Sequence, residues 1–422
     1  MAPNCTSPDP IGFSDRSLNS DALKSFAALV MADEALAERL AAVEDTDAFI
    51  EHAMRSAQSH DIVLSEASLR NAVQPDLLGL ARWSDALLAG SSLPPRHWLP
   101  IGVAAAAGVT CVDWGWLGPK PLEAPFYEDA VRRAWARPFN RVFRYRTGLQ
   151  DLIAQAETAD SLKPSGFIFH MSRCGSTLAA QMLAALSDCV VIAEAAPIDA
   201  VVQLGRALAP EDAARALRAM IAAFGRKRAG HERRYVVKLD CWHTLALPLF
   251  RHAFPDVPWV FLYRDPVEVL VSQMRQRGTQ MVPQYMPPSF FGLDAADYLM
   301  DEDYCARVLG VICRAVIDHH ERGRQGLDGG LLLNYRELPD AVCSAILPHF
   351  GMACGEEERQ RMRQIAQQDA KSPTLPFASD TDSKQREATD KIRRAADCHL
   401  GEIYNRLEAL NELAAGSKSR VS

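Results

Sequence analysis

Arg173, Gly175, Ser176 and Thr177 share a short turn between an apolar run, Phe167-Ile168-Phe169, and a helix-like run from Leu178 to Leu186. That order suits an oxyanion. Gly175 lets the backbone approach a ligand closely. Amide groups at a helix N-terminus lack partners inside the helix and point outward. Arg173 adds a permanent cation with several donors, and Ser176 or Thr177 can cap the helix or bond the ligand. The same residues also make an ordinary capped helix start. A nucleoside-triphosphate loop, G-x-x-x-x-G-K-[ST], carries Lys directly before the hydroxyl residue. Here Ser176 follows Gly175 at once, and the cation lies two residues before the glycine.

A second anion-type element lies downstream. In VFLYRDPVEVLVSQ, Arg264 ends a strand-like run, Asp265 suits an N-cap and Pro266 the first helical position. Ser272 follows eight residues after Arg264, on the helix that Pro266 opens. The ordinary alternative is an Arg paired with a nearby carboxylate.

The rhythm from residue 164 onward must position both elements. GFIFHM, CVVIAEA, RRYVVKLD, PWVFLYRDP and GGLLLNYREL read as strands, and helical patterns separate several of them. Apolar, β-branched strands alternating with helices predict an α/β fold, a parallel sheet flanked by helices. Ligands in such sheets lie beyond the carboxyl ends of the strands. The expectation is one mouth holding residues 173–177, those after Val237, and Arg264.

With both motifs in order, 91 residues apart, the chain resembles the P-loop-like sulfotransferases that use 3′-phosphoadenosine 5′-phosphosulfate, of bacterial type. The resemblance covers residues 165–345 and extends less closely to about 410. It implies that Arg173-Cys174-Gly175-Ser176-Thr177 grips the 5′-phosphosulfate and that Arg264 and Ser272 hold the 3′-phosphate. It also implies a basic loop closing over that phosphate, with Lys371, Lys384 and Arg386 as candidates. Many members carry Lys where this chain has Arg173. Arg keeps its proton, so it neutralises and orients rather than donates. The resemblance supplies three candidates for the general base: Glu194, 18 residues after Ser176, is preferred, then Asp240, two residues after Lys238, then His243. Each also suits a helix cap.

The implied activity is transfer of a sulfuryl group to a hydroxyl acceptor by in-line displacement, with no metal. The acceptor stays open among small molecule, carbohydrate and peptide. Two rivals remain: a small-molecule kinase, which would need Mg²⁺ and the missing Lys, and a non-catalytic nucleotide- or partner-binding protein.

The rest of the chain bounds these readings. Its 422 residues imply more than one domain. Net charge −7 argues against a nucleic-acid binder. Ten cysteines without a Cys-x-x-Cys pair read as reduced thiols of a cytoplasmic protein. The longest weakly polar run, residues 99–112, is too short to span a membrane and reads as buried segments. No signal-peptide pattern opens the chain.

Residues 1–20 read as a disordered tail and 21–75 as a small helical module, capped at Asp45 or Thr46 and at Ser65 or Ser68. That module resembles the leader-peptide-like helical domain associated with nitrogen-fixation genes. Residues 76–160 form a Trp-rich accessory region whose Trp83, Trp98, Trp114, Trp116 and Trp135 suit a core or an interface. Residues 161–415 form the α/β domain, ending in a helix over about 385–412.

Overall fold

A computed structural model describes residues 13–74, 87–106, 108–156, 158, 160–294, 301–322, 329–371 and 375–418. Cys5, Trp83 and the first part of the expected tail lie outside them. The chain divides into two units, Met1–Pro119 with Ala130–Gln155, and Lys120–Asp129 with Ala156–Ser422.

The first unit opens with α1 (Phe13–Ala32), which begins inside the stretch read as a tail. It continues through α2 (Glu34–Ala41), α3 (Thr46–Gln58) and α4 (Glu66–Ala72). Asp33, Asp45 and Ser65 cap the last three by accepting from backbone amides. Next come β1 (Leu88–Ala89), β2 (Trp98–Ala106) and β3 (Val109–Trp116). The division between units falls inside α5 (Tyr127–Ala136). Then α6 (Pro138–Val142), β4 (Tyr145–Gly148) and α7 (Leu149–Ala156) close the unit. Its sheet has the order β1-β4-β3-β2.

The helices of residues 21–75 and most of residues 76–160 fall in this one unit. Phe26 of α1 and Phe49 of α3 bury their rings against Phe143, with centroids at 5.8 and 6.2 Å. A few amphipathic helices need such a partner to cover their apolar face. Trp98, Trp114 and Trp116 are buried, and Trp114 Nε1 donates to Thr147 Oγ1 at 2.9 Å. The run 99–112 is not buried throughout. It forms most of the β2–β3 hairpin, where Leu99 and Val112 are buried but Val109 is exposed. An antiparallel sheet commonly leaves one face to solvent.

The second unit carries five parallel strands: β5 (Gly166–His170), β6 (Cys189–Ala193), β7 (Arg234–Lys238), β8 (Trp259–Tyr263) and β9 (Gly330–Asn334). Their order is β6-β7-β5-β8-β9. After β5 the chain runs outward to β6, and after β7 it crosses to β8, so the connections diverge around β5. Ligands in open α/β sheets bind at such a switch point. The helices here are α8 (Ser176–Ala184), α9 (Ala196–Gly205), α10 (Pro210–Phe224), α11 (Leu247–Ala253), α12 (Pro266–Arg275) and α13 (Asp301–Arg322). They continue with α14 (Leu347–His349), α15 (Glu356–Ala366), α16 (Thr381–Glu387) and α17 (Asp390–Lys418).

The expected helix over 385–412 is thus two helices. Ala388 turns extended, with φ −62 and ψ 115, and Thr389 Oγ1 then accepts from the Ile392 amide at 3.3 Å to start α17. The sequence reading assigned no element to α13, whose apolar face carries the buried Tyr304, Val308, Leu309 and Ile312.

The start of β5 sets where the loop after it points, and Gly166 is what lets Phe350 pack there. A Cβ at Gly166 would meet Phe350 Cδ1 and Cε1 at 2.4 Å. Gly166→Ala is expected to cost roughly 1–3 kcal/mol, as overpacking does, read as a lower urea midpoint. Adding Phe350→Leu should restore part of it; an unchanged midpoint for the single variant would refute this packing account.

Candidate active site

The ends of all five strands of the second unit open on one cavity of about 410 Å³. Its wall includes Arg173 to Leu178 after β5, Glu194 after β6, Asp240 to Trp242 after β7, Arg264 after β8 and Tyr335 after β9. Ser272, Lys371 and Lys384 also line it. Every residue proposed from sequence for a ligand faces this space except His243 and Arg386. Arg386 lies two positions beyond Lys384 on α16, about 200° around the helix, and is exposed.

The loop after β5 is held in an unusual conformation. Ser172 and Arg173 take left-handed φ values of 85 and 52, and Gly175 has φ 82. Non-glycine residues rarely do so without surrounding structure to hold them. Here Gln273 and Gln280 amides donate to Ser172 Oγ at 3.1 and 3.0 Å, and the Ser172 amide donates to His170 Nδ1 at 3.1 Å. Gly175 is the N-cap of α8 and offers no side-chain cap, so the first amides of α8 are left for a ligand. A Cβ at Gly175 would lie 2.7 Å from Leu338 Cδ1 and 2.8 Å from Tyr335 Cδ2. Cys174 contributes backbone only: its thiol donates to Leu262 O at 3.0 Å, and burial pushes it up to about 11.

Arg173 lines the cavity and donates to Gln276 O at 2.7 Å. Arg264, which lines the same cavity, is almost enclosed. Its guanidinium stacks on Tyr335, 3.8 Å from the ring centroid, and bonds Glu268 Oε2 at 2.6 Å and Asp380 Oδ1 at 2.8 Å. Lys384 Nζ takes the other oxygen of Asp380 at 2.7 Å. The ordinary carboxylate pairing of Arg264 is therefore present, and Ser272 lines the same cavity. One carboxylate, Asp380, bridges two cations whose side chains are 5% and 4% exposed. Asp265 caps α12, accepting from the Glu268 amide at 3.1 Å, with Pro266 at the first turn as expected.

The two carboxylates proposed as bases have opposite environments. Lys238 ends β7 with a side chain wholly shielded from solvent and pairs with Glu194 Oε1. Its ammonium also lies 5.4 Å from the Phe126 ring centroid. Burial alone would raise Glu194, but the charge of Lys238 and hydrogen bonds from His170 and Lys238 hold it well below the usual carboxylate range. His170 stays neutral: its Nδ1 accepts from Ser172, so Nε2 carries the proton to Leu239 O at 2.9 Å, and burial with nearby Lys238 lowers its basicity. Asp240 is pushed up to about 7 by burial, with Glu194 and Asp199 adding to the rise against His243 and Lys238. The preferred base from sequence is thus the weaker base of the pair in this arrangement.

His243 lies behind the wall. Its Nδ1 accepts from the Asp240 amide at 3.3 Å and its Nε2 donates to Asp199 Oδ1 at 2.9 Å. Asp199, Asp240 and His243 bring ligand-type atoms within 4.8 Å of one another, yet the imidazole uses both nitrogens in these protein hydrogen bonds. Asp199 also accepts from Trp242 Nε1 at 2.7 Å. Lys371 faces the cavity as a solvent-touching side chain; burial of its stem and the nearby charge of Arg173 bring its ammonium down to about 8.

Sequence reasoning missed Tyr335, Phe126, Glu268 and Asp380. Tyr335 had a signal, since it directly follows a strand and strand ends face ligands in this fold. Phe126 and Asp380 had none, as they arrive from segments far away in sequence.

Residues 164–302 match the model of the sulfotransferase family. That segment holds the 173–177 loop, Glu194, Asp240, Arg264 and Ser272, and stops before Tyr335, Asp380 and Lys384. No curated protein matches the chain. Among solved structures, sulfotransferase STF9 from Mycobacterium avium shares 12% identity over 58% of this chain and 79% of its own, with TM-score 0.34. The sulfotransferase domain from the curacin biosynthetic pathway shares 14% over 56% and 98%, with TM-score 0.35. Sulfotransferase STF1 from Mycobacterium tuberculosis shares 18% over 51% and 75%, with TM-score 0.35.

Removing Glu194's charge strands Lys238 in a buried position. Glu194→Gln is expected to destabilise the fold by about 3 kcal/mol, as for one lost partner of a buried pair, measured by urea unfolding at pH 7. The depressed Glu194 contributes stability above the ordinary carboxylate range and loses it as pH falls through its folded value. The gap between wild type and variant should therefore shrink in acid; a gap independent of pH would contradict the pairing.

Proposed function

We propose that this chain, which carries a sulfotransferase-family segment, transfers a sulfuryl group from 3′-phosphoadenosine 5′-phosphosulfate to a hydroxyl acceptor by in-line displacement. The observation that carries the reading is a pair of anion-holding features on one sheet edge. One is the left-handed loop opening α8. The other is the Arg264–Lys384 pair, closed by a carboxylate that stands where an oxyanion would.

In this reading the 5′-phosphosulfate lies on the first amides of α8 and on Arg173. The 3′-phosphate takes the place of Asp380 between Arg264 and Lys384, beside Ser272. The acceptor oxygen forms a bond to sulfur as the bond from sulfur to the bridging phosphate oxygen breaks. The acceptor proton passes to Asp240, and the negative charge leaves on adenosine 3′,5′-bisphosphate. Arg173 neutralises that charge without giving up a proton. Glu194, held ionised by Lys238, stays a fixed charge beside the base. Two carboxylates whose environments push their proton affinities apart commonly divide roles this way. The free thiols of the described cysteines support a reducing, cytoplasmic location, and none of the described helices is long and apolar enough to cross a membrane.

Calorimetric titration tests the donor. Adenosine 3′,5′-bisphosphate should bind, more weakly by roughly tenfold or more in Lys384→Ala, as charge-assisted hydrogen bonds are worth about 1.5–3 kcal/mol, and more tightly in Asp380→Asn. Preference for ATP–Mg²⁺ would favour the kinase reading; no binding of either would favour a non-catalytic protein.

A pH profile tests the base. Asp240 must be ionised to accept a proton, so kcat/KM should rise as pH rises through about 7. Asp240→Asn should remove that limb and lower the rate by roughly 10²–10⁴-fold. Loss of the limb in Glu194→Gln, with Asp240→Asn retaining it, would move the base to Glu194.

A further inference from the structure

A second cavity of about 480 Å³ lies beside the first in the same unit, and Trp242 lines both. Its volume is in the range that holds drug-sized ligands, roughly 300–1,000 Å³. The lining is mainly aliphatic, with Val202, Leu208, Leu245, Leu249 and Phe290 among its residues. The sulfuryl-transfer reading leaves this space without a role.

One helix orders the residues around it. Glu194 precedes α9, Asp199 in its first turn holds the Trp242 indole at 2.7 Å, and Arg206 is its C-cap. Seven residues separate Asp199 from Arg206, so about 10 Å of helix axis runs between them. The helix therefore leads from Glu194, which lines the donor cavity, to Arg206, which lines the apolar one. Arg206 stacks over Phe290, 4.5 Å from the ring centroid, is exposed, and forms no ion pair among the described residues. The imidazole of His252, which also lines the cavity, already bonds Glu211 at 3.1 Å. An apolar cavity that shares Trp242 with the donor cavity and carries a guanidinium without an ion pair among the described residues fits a specific chemistry.

We infer that this cavity is the acceptor site, and that it takes an aliphatic hydroxy acid of medium chain length. The carboxylate rests on Arg206, the alkyl chain lies along α9 against Leu245 and Leu249, and the far hydroxyl passes Trp242 toward Asp240. The assignment of the hydroxyl as sulfuryl acceptor rests on the sulfotransferase reading; occupancy of the cavity does not. Glucose and similar carbohydrates lack the apolar surface to fill it.

The test is calorimetry on the full chain with omega-hydroxydecanoic acid, decanol and glucose, alongside adenosine 3′,5′-bisphosphate. Wild type should bind the hydroxy acid best and glucose not measurably. Arg206→Ala, a surface change safe for folding, should weaken the acid tenfold or more and leave decanol unchanged. Leu249→Trp, which fills the cavity, should abolish binding of both. Both variants should bind the bisphosphate as wild type does. Equal binding of acid and glucose in wild type, or acid binding that survives Leu249→Trp, overturns the site. An unchanged acid affinity in Arg206→Ala overturns the carboxylate partner. If the acid behaves as expected while the bisphosphate fails to bind, the donor reading falls and the hydroxy-acid site stands.

Discussion

Three cations with almost no solvent access crowd the carboxyl edge of the second unit's sheet: Lys238, Arg264 and Lys384. A buried charge is tolerated only when it is paired, and each of these meets a carboxylate. Lys238 takes Glu194, Arg264 takes Glu268 and Asp380, and Lys384 takes Asp380. The three carboxylates differ in access. Glu268 is enclosed with Arg264, at 8% exposed, whereas Asp380 is 39% exposed. Of the two carboxylate partners of Arg264, only Asp380 can be replaced by an anion from solution without first unpacking the helix. The same constraint that holds this edge together therefore leaves Asp380 exchangeable, in the cavity that the first residues of α8 also line.

Charge pairing also separates the two carboxylates at the ends of β6 and β7. Both are close to the same cavity. Glu194 has a buried ammonium for a partner and remains ionised; Asp240 has burial and two neighbouring carboxylates, and its proton affinity rises. An acidic side chain that titrates near neutrality suits proton transfer better than one locked in a salt bridge. Arg173 complements this arrangement. A guanidinium keeps its proton, so at this edge Arg173 is a fixed charge and Asp240 is the group whose protonation changes near neutrality.

Much of the site was legible because its signals are local. A strand, a turn with Arg and Gly, and a helix start need only adjacent residues, and 173–177 forms that unit in the fold. Arg264, Asp265 and Pro266 likewise encode a strand end and a capped helix within three positions. What sequence could not weigh was pairing across the chain. Glu194 and Asp240 look equivalent as isolated carboxylates, and nothing local says that Lys238 faces one of them. Tyr335 reaches Arg264 and Gly175 from the end of another strand, and Asp380 arrives from a segment more than a hundred residues downstream. The merging of the front helices with the Trp-rich region has the same cause, since Phe143 meets Phe26 and Phe49 only after the chain returns on itself.

By itself the sequence determined the alternation of strands and helices, and with it a parallel sheet whose carboxyl edge carries the anion-type loop. Hydrophobic periodicity and capping act over a few residues and survive in any context. Tertiary structure alone decided which charges neutralise one another and which carboxylate is left able to accept a proton. It also decided that a mainly aliphatic cavity, lined by Arg206 among others, shares Trp242 with the first. Those outcomes depend on burial and on distance through space, and neither is set until the helices have packed on the sheet.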